Sequence, residues 1–225
     1  MNSSYYLFPQ QGEQEMSVHV VDHPLVSHRL GLMRKDGIST MHFRMLATEI
    51  ARFLVAEASK DLKVEPVMVQ GWAEEVETLG LAGKKPTLVP ILRAGIGLLW
   101  GALDMFPGGK VSIVGFYRDD EDPDFKPVRY YDKLANKLDQ RRAFVLDPML
   151  ATGGTMDATI NLLKEDGCTD IKALVLIAAP EGLARMKAQH PDVDIFTAAI
   201  DRELDENAYI LPGFGDAGDL LFGTQ

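Results

Sequence analysis

Ala143-Phe144-Val145-Leu146-Asp147-Pro148-Met149-Leu150-Ala151-Thr152-Gly153-Gly154-Thr155 is the stretch whose reading decides the fold. Its first four residues are an unbroken apolar run, which bounded by turn residues reads as a strand buried on both faces. A small-residue, glycine-rich turn follows, and a helical pattern covers residues 155–166. Strand, turn and helix in that order make half of a parallel βαβ unit. A turn of this composition offers consecutive amides and two hydroxyls where a helix begins, an arrangement suited to a phosphate. Asp147 would repel that phosphate, so its natural work is accepting hydrogen bonds from vicinal hydroxyls. Together the two features suit a phosphorylated ribose. The competing reading is an ordinary strand-to-helix connection with a threonine N-cap.

Working outward, residues 87–92, 111–116, 173–178 and 194–199 are further short apolar runs, and helical patterns cover residues 96–105 and 181–189. Strands alternating with helices predict an α/β fold, a single-domain parallel sheet flanked by helices. Pro24 fits the first turn of a helix reaching about Arg34. A longer helix follows Ser39-Thr40, with Phe43, Leu46, Ala47, Ile50, Phe53 and Leu54 at helical spacing. Residues 1–16 read as a flexible N-terminal extension and 17–225 as the one folded domain. Asp119-Asp120-Glu121-Asp122-Pro123-Asp124 reads as an exposed mobile loop. The run from Leu211 to Asp219 is too rich in glycine for helix or strand. In open parallel sheets, ligands bind beyond the C-terminal strand ends, the edge at which the turns after residues 92, 117 and 147 fall.

Composition narrows the function classes. The chain has 225 residues, 46% of them hydrophobic and 25% charged, enough for a substantial core. A formal charge of −10 argues against a general nucleic-acid binder. A phosphate-bearing small molecule is still compatible, because placed arginines, turn amides and a divalent cation reverse the potential locally. Cys168 is the sole cysteine, so no internal disulfide forms and a reducing compartment is expected. Residues 1–16 are polar, without a basic stretch leading into an apolar run, so no secretory leader or membrane span is expected and the location is cytoplasmic.

Residues 147–155 contain no Lys, which excludes a Walker loop, and Gly95, Gly97 and Gly101 miss the dinucleotide spacing. Arg93, between a strand end and the glycine-opened helix at Gly95, suits a second anion such as a pyrophosphate, or is a solvated loop arginine. Tyr117-Arg118, with Lys126, Arg129 and Lys133 beyond, fits a mobile cationic flap or a salt-bridged surface hairpin. The C-terminal glycine run fits peptide groups reading a planar heterocycle, with Asp216 and Asp219 near a magnesium ion or its waters, or else a meandering tail. His19, His23, His28, His42 and His190 show no zinc spacing and read as structural or surface residues.

With these residues in place, the chain resembles the type I phosphoribosyltransferases and, within them, the uracil phosphoribosyltransferases. The strand, Asp147 and Thr152-Gly153-Gly154-Thr155 resemble that family's motif for phosphoribosyl pyrophosphate (PRPP). Pro148 stands where most relatives carry a second acid, a form associated with the uracil branch. The resemblance implies that Arg93, Arg118, Asp147, Pro148, Met149, Leu150, Ala151, Thr152, Gly153, Gly154, Thr155 and Asp216 bind PRPP. It implies that Asp147 and Arg118 serve catalysis. It further implies that residues 209–219 form a hood in which Ile210, Gly215, Asp216 and Ala217 contact uracil. The implied reaction joins the phosphoribosyl group to uracil, giving UMP and diphosphate, with Mg2+ as cofactor. A homo-oligomer (dimer or tetramer) is implied too, with GTP as a candidate effector and no nucleic-acid or membrane partner. The apolar N-terminal helices would suit the subunit interface. The rival readings are transfer to orotate or a purine, and a nucleotide-sensing regulator that binds RNA.

Overall fold

The computed structural model describes residues 16–118 and 127–224. The expected N-terminal extension, Met16 apart, and the acidic loop over residues 119–124 lie outside the described residues. In chain order the elements are β1 (Val18–Val20), α1 (Pro24–Met33), α2 (Thr40–Ala58), β2 (Val64–Gln70), β3 (Glu75–Leu81) and β4 (Thr87–Leu92). There follow α3 (Ile96–Met105), β5 (Lys110–Val111), β6 (Ile113–Arg118), β7 (Pro127–Lys133), β8 (Arg142–Leu146), β9 (Met149–Leu150) and α4 (Gly154–Glu165). The chain ends with β10 (Asp170–Ala178), α5 (Pro180–Gln189), β11 (Asp194–Ile200), β12 (Glu203–Leu204), β13 (Ile210–Leu211) and α6 (Ala217–Phe222).

The main sheet runs β1-β11-β10-β8-β4-β6-β7, parallel throughout except for the antiparallel β6–β7 pair at one edge. Its strands read as continuous apolar runs because a core lies on each face. Along β8, Phe144 and Leu146 join one core with α1, α2, α3 and α6, while Ala143 and Val145 join the other with α4 and α5. Successive strand side chains point to opposite faces, so every residue of such a strand must be apolar. This is the α/β architecture expected. Since β4, β6 and β8 are parallel, the chain segments that follow them leave at one edge of the sheet.

Three features depart from expectation. The apolar stripe of α2 (Phe43, Leu46, Ile50 and Leu54 among it) is buried inside the chain, while Met41 and Met45 of the same helix and Leu25 of α1 are exposed. Exposed apolar residues also stand on the hairpin β2–β3, which the helix-and-strand alternation did not foreshadow. And the C-terminal run is not all loop. Asp216 caps α6 by accepting the Asp219 N–H at 2.9 Å, and Gly223 ends it at φ +67°, so capping at both ends offsets the glycine content.

Polar ties hold the sheet end opposite the site. Arg142 pairs with Asp170 at 2.9 Å and with Asp61, just beyond α2, at 2.5 Å. Burial raises the Asp61 carboxyl, but hydrogen bonds and charge from Arg142 and Lys172 outweigh it and hold the group below its ordinary value. The tie therefore stabilises at neutral pH and weakens as the pH falls through that lowered value. Among the described residues no helix is long and apolar enough to cross a membrane.

Cys168 is 1% exposed, and burial pushes its thiol up to about 11. Near neutral pH almost none of it is the reactive thiolate. Iodoacetamide is expected to leave it intact in the folded protein and to alkylate it fully in denaturant, as read by intact mass. Rapid alkylation of the folded chain would contradict this burial.

Candidate active site

The site begins where β8 stops. Pro148 has no N–H for the ladder, so the strand breaks there. The break is nonetheless anchored: the Asp147 N–H donates to the Leu174 carbonyl at 3.2 Å. The Pro148 carbonyl accepts from both Leu176 (2.9 Å) and Ile177 (3.2 Å). The chain then rejoins β10 as β9, and the Ala179 N–H donates to the Leu150 carbonyl at 2.9 Å. The turn that follows thus springs from a fixed point on the sheet edge.

The start of α4 differs from a threonine-capped helix. Its N-cap is Gly153, at φ +80°, and no side chain caps it. The Thr152 hydroxyl receives the Gly154 N–H only at 3.5 Å. A helix whose first amides lack a side-chain cap keeps them for a ligand, and its dipole favours an anion there. Asp147 and residues 149–156 enclose a cleft of about 120 Å³ at this point.

A second cleft, of about 170 Å³, is lined by Met149, Ala151, Asn207, Ala208, Tyr209, Ile210 and Asp216. It shares Met149 and Ala151 with the first, so the two are adjacent. Its far wall is shaped by the turn between β12 and β13, where Asp205 Oδ1 accepts from the N–H groups of Asn207 (2.9 Å) and Tyr209 (2.8 Å). Asp216 both lines this cleft and caps α6.

The structure brings together Asp147, Met149, Leu150, Ala151, Thr152, Gly153, Gly154 and Thr155 around the first cleft, and Ile210 and Asp216 around the second. Pro148 lies outside both linings and serves the sheet. Ala217 is buried as the first residue of α6, and Gly215 lies on a separate groove facing the turn after α1. Arg93 leans on α6: its guanidinium is 3.8 Å from Asp219 Oδ1 and 5.6 Å from the centre of the Phe222 ring. Arg118 ends β6 on the same sheet edge as Arg93 and Asp147. The strands β6 and β7 form an antiparallel pair, with Arg129 and Asp132 at 3.6 Å.

Sequence reasoning missed Asn207 and Ala208, which no local pattern marks; the Asp205 turn places them. It also missed Arg185 on α5, which touches the glycine turn. A Cβ added at Gly153 would lie 3.3 Å from its Cδ, and its Nε is bonded to Asp157 at 3.1 Å. His190 is buried, its Nε2 3.0 Å from the same Asp157, which fits the structural role expected of it.

A parallel sheet carrying an uncapped glycine turn beyond an acidic strand end, with a hood beside it, defines a type I phosphoribosyltransferase. Within that class, the chain belongs to the uracil phosphoribosyltransferase family, whose model matches residues 20–224. The AQ2163 protein from Aquifex aeolicus is 35% identical and superposes with a TM-score of 0.88, over 92% of this chain and 99% of that one. Adenine phosphoribosyl transferase from Trypanosoma brucei, solved with AMP, pyrophosphate and ribose-5-phosphate, shares the fold. It is 13% identical, with a TM-score of 0.55 over 87% of this chain and 85% of that one.

Gly153 supplies the positive φ that the turn requires, and an alanine there also brings its Cβ to 3.2 Å from the Gly182 carbonyl. A left-handed alanine costs about 1–2 kcal/mol. Gly153→Ala is therefore expected to weaken PRPP binding roughly five- to thirtyfold by titration calorimetry, with the far-ultraviolet circular dichroism unchanged. Unchanged affinity would mean that the turn does not hold the phosphate.

Proposed function

We propose that this protein transfers the 5-phosphoribosyl group of PRPP to a ring nitrogen of uracil, giving UMP and diphosphate in pyrimidine salvage. The observation that carries the reading is the wall shared by the two clefts, Met149 and Ala151. It sets a phosphate-sized turn beside a pocket whose lining, among the described residues, holds no Lys, Arg or His. A neutral base suits such a pocket, whereas orotate brings a carboxylate that would call for a cation. An RNA-binding regulator would call for a basic face, against a formal charge of −10.

In this reading the bond from the ribose anomeric carbon to diphosphate breaks, a bond to the uracil nitrogen forms, and the nitrogen's proton leaves. The amides of residues 153–155 hold the 5-phosphate, and Asp147 accepts the ribose hydroxyls close to where positive charge grows on the sugar. Arg93 and Arg118 are the residues this reading assigns to the departing diphosphate. Holding base and sugar in line removes several kcal/mol of barrier, so no single general base is assigned. Asp216 and Asp219 would hold a magnesium ion or its waters, since Mg2+ takes one or two carboxylates beside phosphate oxygens. When bound, Mg2+ neutralises charge on the diphosphate.

The expected outcome is diphosphate release from PRPP with uracil and Mg2+, lost on chelation, and little or none with orotate, hypoxanthine or adenine. Asp147→Asn should lower kcat far more than it raises the KM for uracil. Equal changes in both would count against a role at the ribose.

We also propose a homo-oligomer built on the β2–β3 hairpin. Val64, Met68, Leu79 and Leu81 are exposed on one of its faces and Val69 and Val76 on the other, with Trp72 fully exposed at the tip. An uncovered two-stranded hairpin is marginal in water, so a second copy of the chain is the cover this reading assigns. Met68→Glu with Leu79→Lys should shift the sedimentation coefficient toward the monomer. A monomeric parent protein would overturn the assignment.

A further inference from the structure

Behind the hood lies an ion pair that neither cleft contains. Arg34, the C-cap residue of α1, reaches Asp201 at the end of β11 through two bonds, Nη1 to Oδ2 at 2.8 Å and Nη2 to Oδ1 at 2.6 Å. The same Nη1 donates to the Gly213 carbonyl at 2.9 Å, and the Gly213 N–H donates to Asp201 Oδ2 at 3.0 Å. Both peptide groups of Gly213 are thus held by one pair of side chains. The Asp201 side chain is 5% exposed. Gly213 itself has φ +50°, and a Cβ there would lie 2.1 Å from the Ile210 carbonyl, so the backbone path is fixed as well.

We propose that Arg34 and Asp201 are positioning residues for the base: they set the height of the hood over the second cleft by clamping Gly213. This rests on the uracil reading of that cleft. Gly213 sits between Ile210 and Asp216, which both line the cleft, whereas Arg34 and Asp201 do not. The two side chains therefore act through the loop. A buried ion pair is a poor source of stability against apolar packing of equal volume. What this one does that apolar residues cannot is satisfy the buried N–H and C=O of a loop peptide. The hood also has room to move once the pair is cut. A groove of about 430 Å³ lies behind it, between Arg34–Ile38 and Pro212–Gly215.

The test compares the parent protein with Asp201→Asn, Arg34→Met and the milder Arg34→Lys, whose point charge cannot hold the carboxylate fork and the carbonyl together. Asp201→Asn and Arg34→Met are expected to raise the KM for uracil at least about tenfold, with the KM for PRPP changed less than about twofold. Arg34→Lys should fall between, and it carries the test if the other two do not fold. The double variant should be no worse than the poorer single one, because each cuts the same tie. Amide exchange followed by mass spectrometry should quicken in peptides covering residues 210–218 and stay unchanged in β8 and β10. An unaltered uracil KM in a folded variant, or an equal rise in both KM values, would overturn the proposal. If the parent releases no diphosphate with uracil, the uracil reading fails, and the exchange measurement still decides whether Arg34 and Asp201 clamp the hood.

Discussion

The missing N–H of Pro148 is the constraint on which the site depends. A strand packed on both faces carries its ladder to the last residue unless something removes a donor, and proline does so. Three hydrogen bonds from β10 and its end then pin the break, to the carbonyls of Pro148 and Leu150. Asp147 is left at the interruption, and the glycine turn begins a fixed distance further on. The two cores enforce the same outcome, since a one-residue slip of β8 along β10 would send Phe144 and Leu146 into the wrong layer.

What was legible in the sequence is what depends on local pattern. The doubly buried strands 87–92 and 143–146 are apolar except for Thr87, with no alternation to suggest an exposed face, and they lie where their pattern put them. The turn at Gly153 was legible because its composition states its conformation. Its capping was not: Thr152 sits where a cap would be expected, but the structure gives the cap position to Gly153. The hairpin β2–β3 escaped because its alternation is apolar on both faces, which marks neither a core strand nor a solvated one. Helix α6 escaped because two caps outweigh glycine content, and caps are visible only when the register is known.

Long-range polar geometry was the least legible. Arg34 and Asp201 are 167 residues apart and are ordinary in their local contexts. Arg93 is a comparable case: its place at a strand end was readable, but not that it leans on Asp219 and Phe222 of α6. Such contacts join segments from opposite ends of the chain, where period and composition carry no information. They also explain how an acidic protein handles an anionic substrate. In the proposed reading the field that matters is local, made by helix amides and the arginines beside the turn, within a negative envelope.

The union of α1 with the hood has a bearing on how this molecule is made. On the ribosome the glycine turn emerges about sixty residues before the loop that Arg34 grips, and β1 waits longer for its neighbour β11 than β8 does for β10. A nascent chain therefore carries a potential phosphate cradle before it has a finished base pocket. In the proposed reading, a product that stopped between the two would carry the phosphate turn without the loop that selects the acceptor.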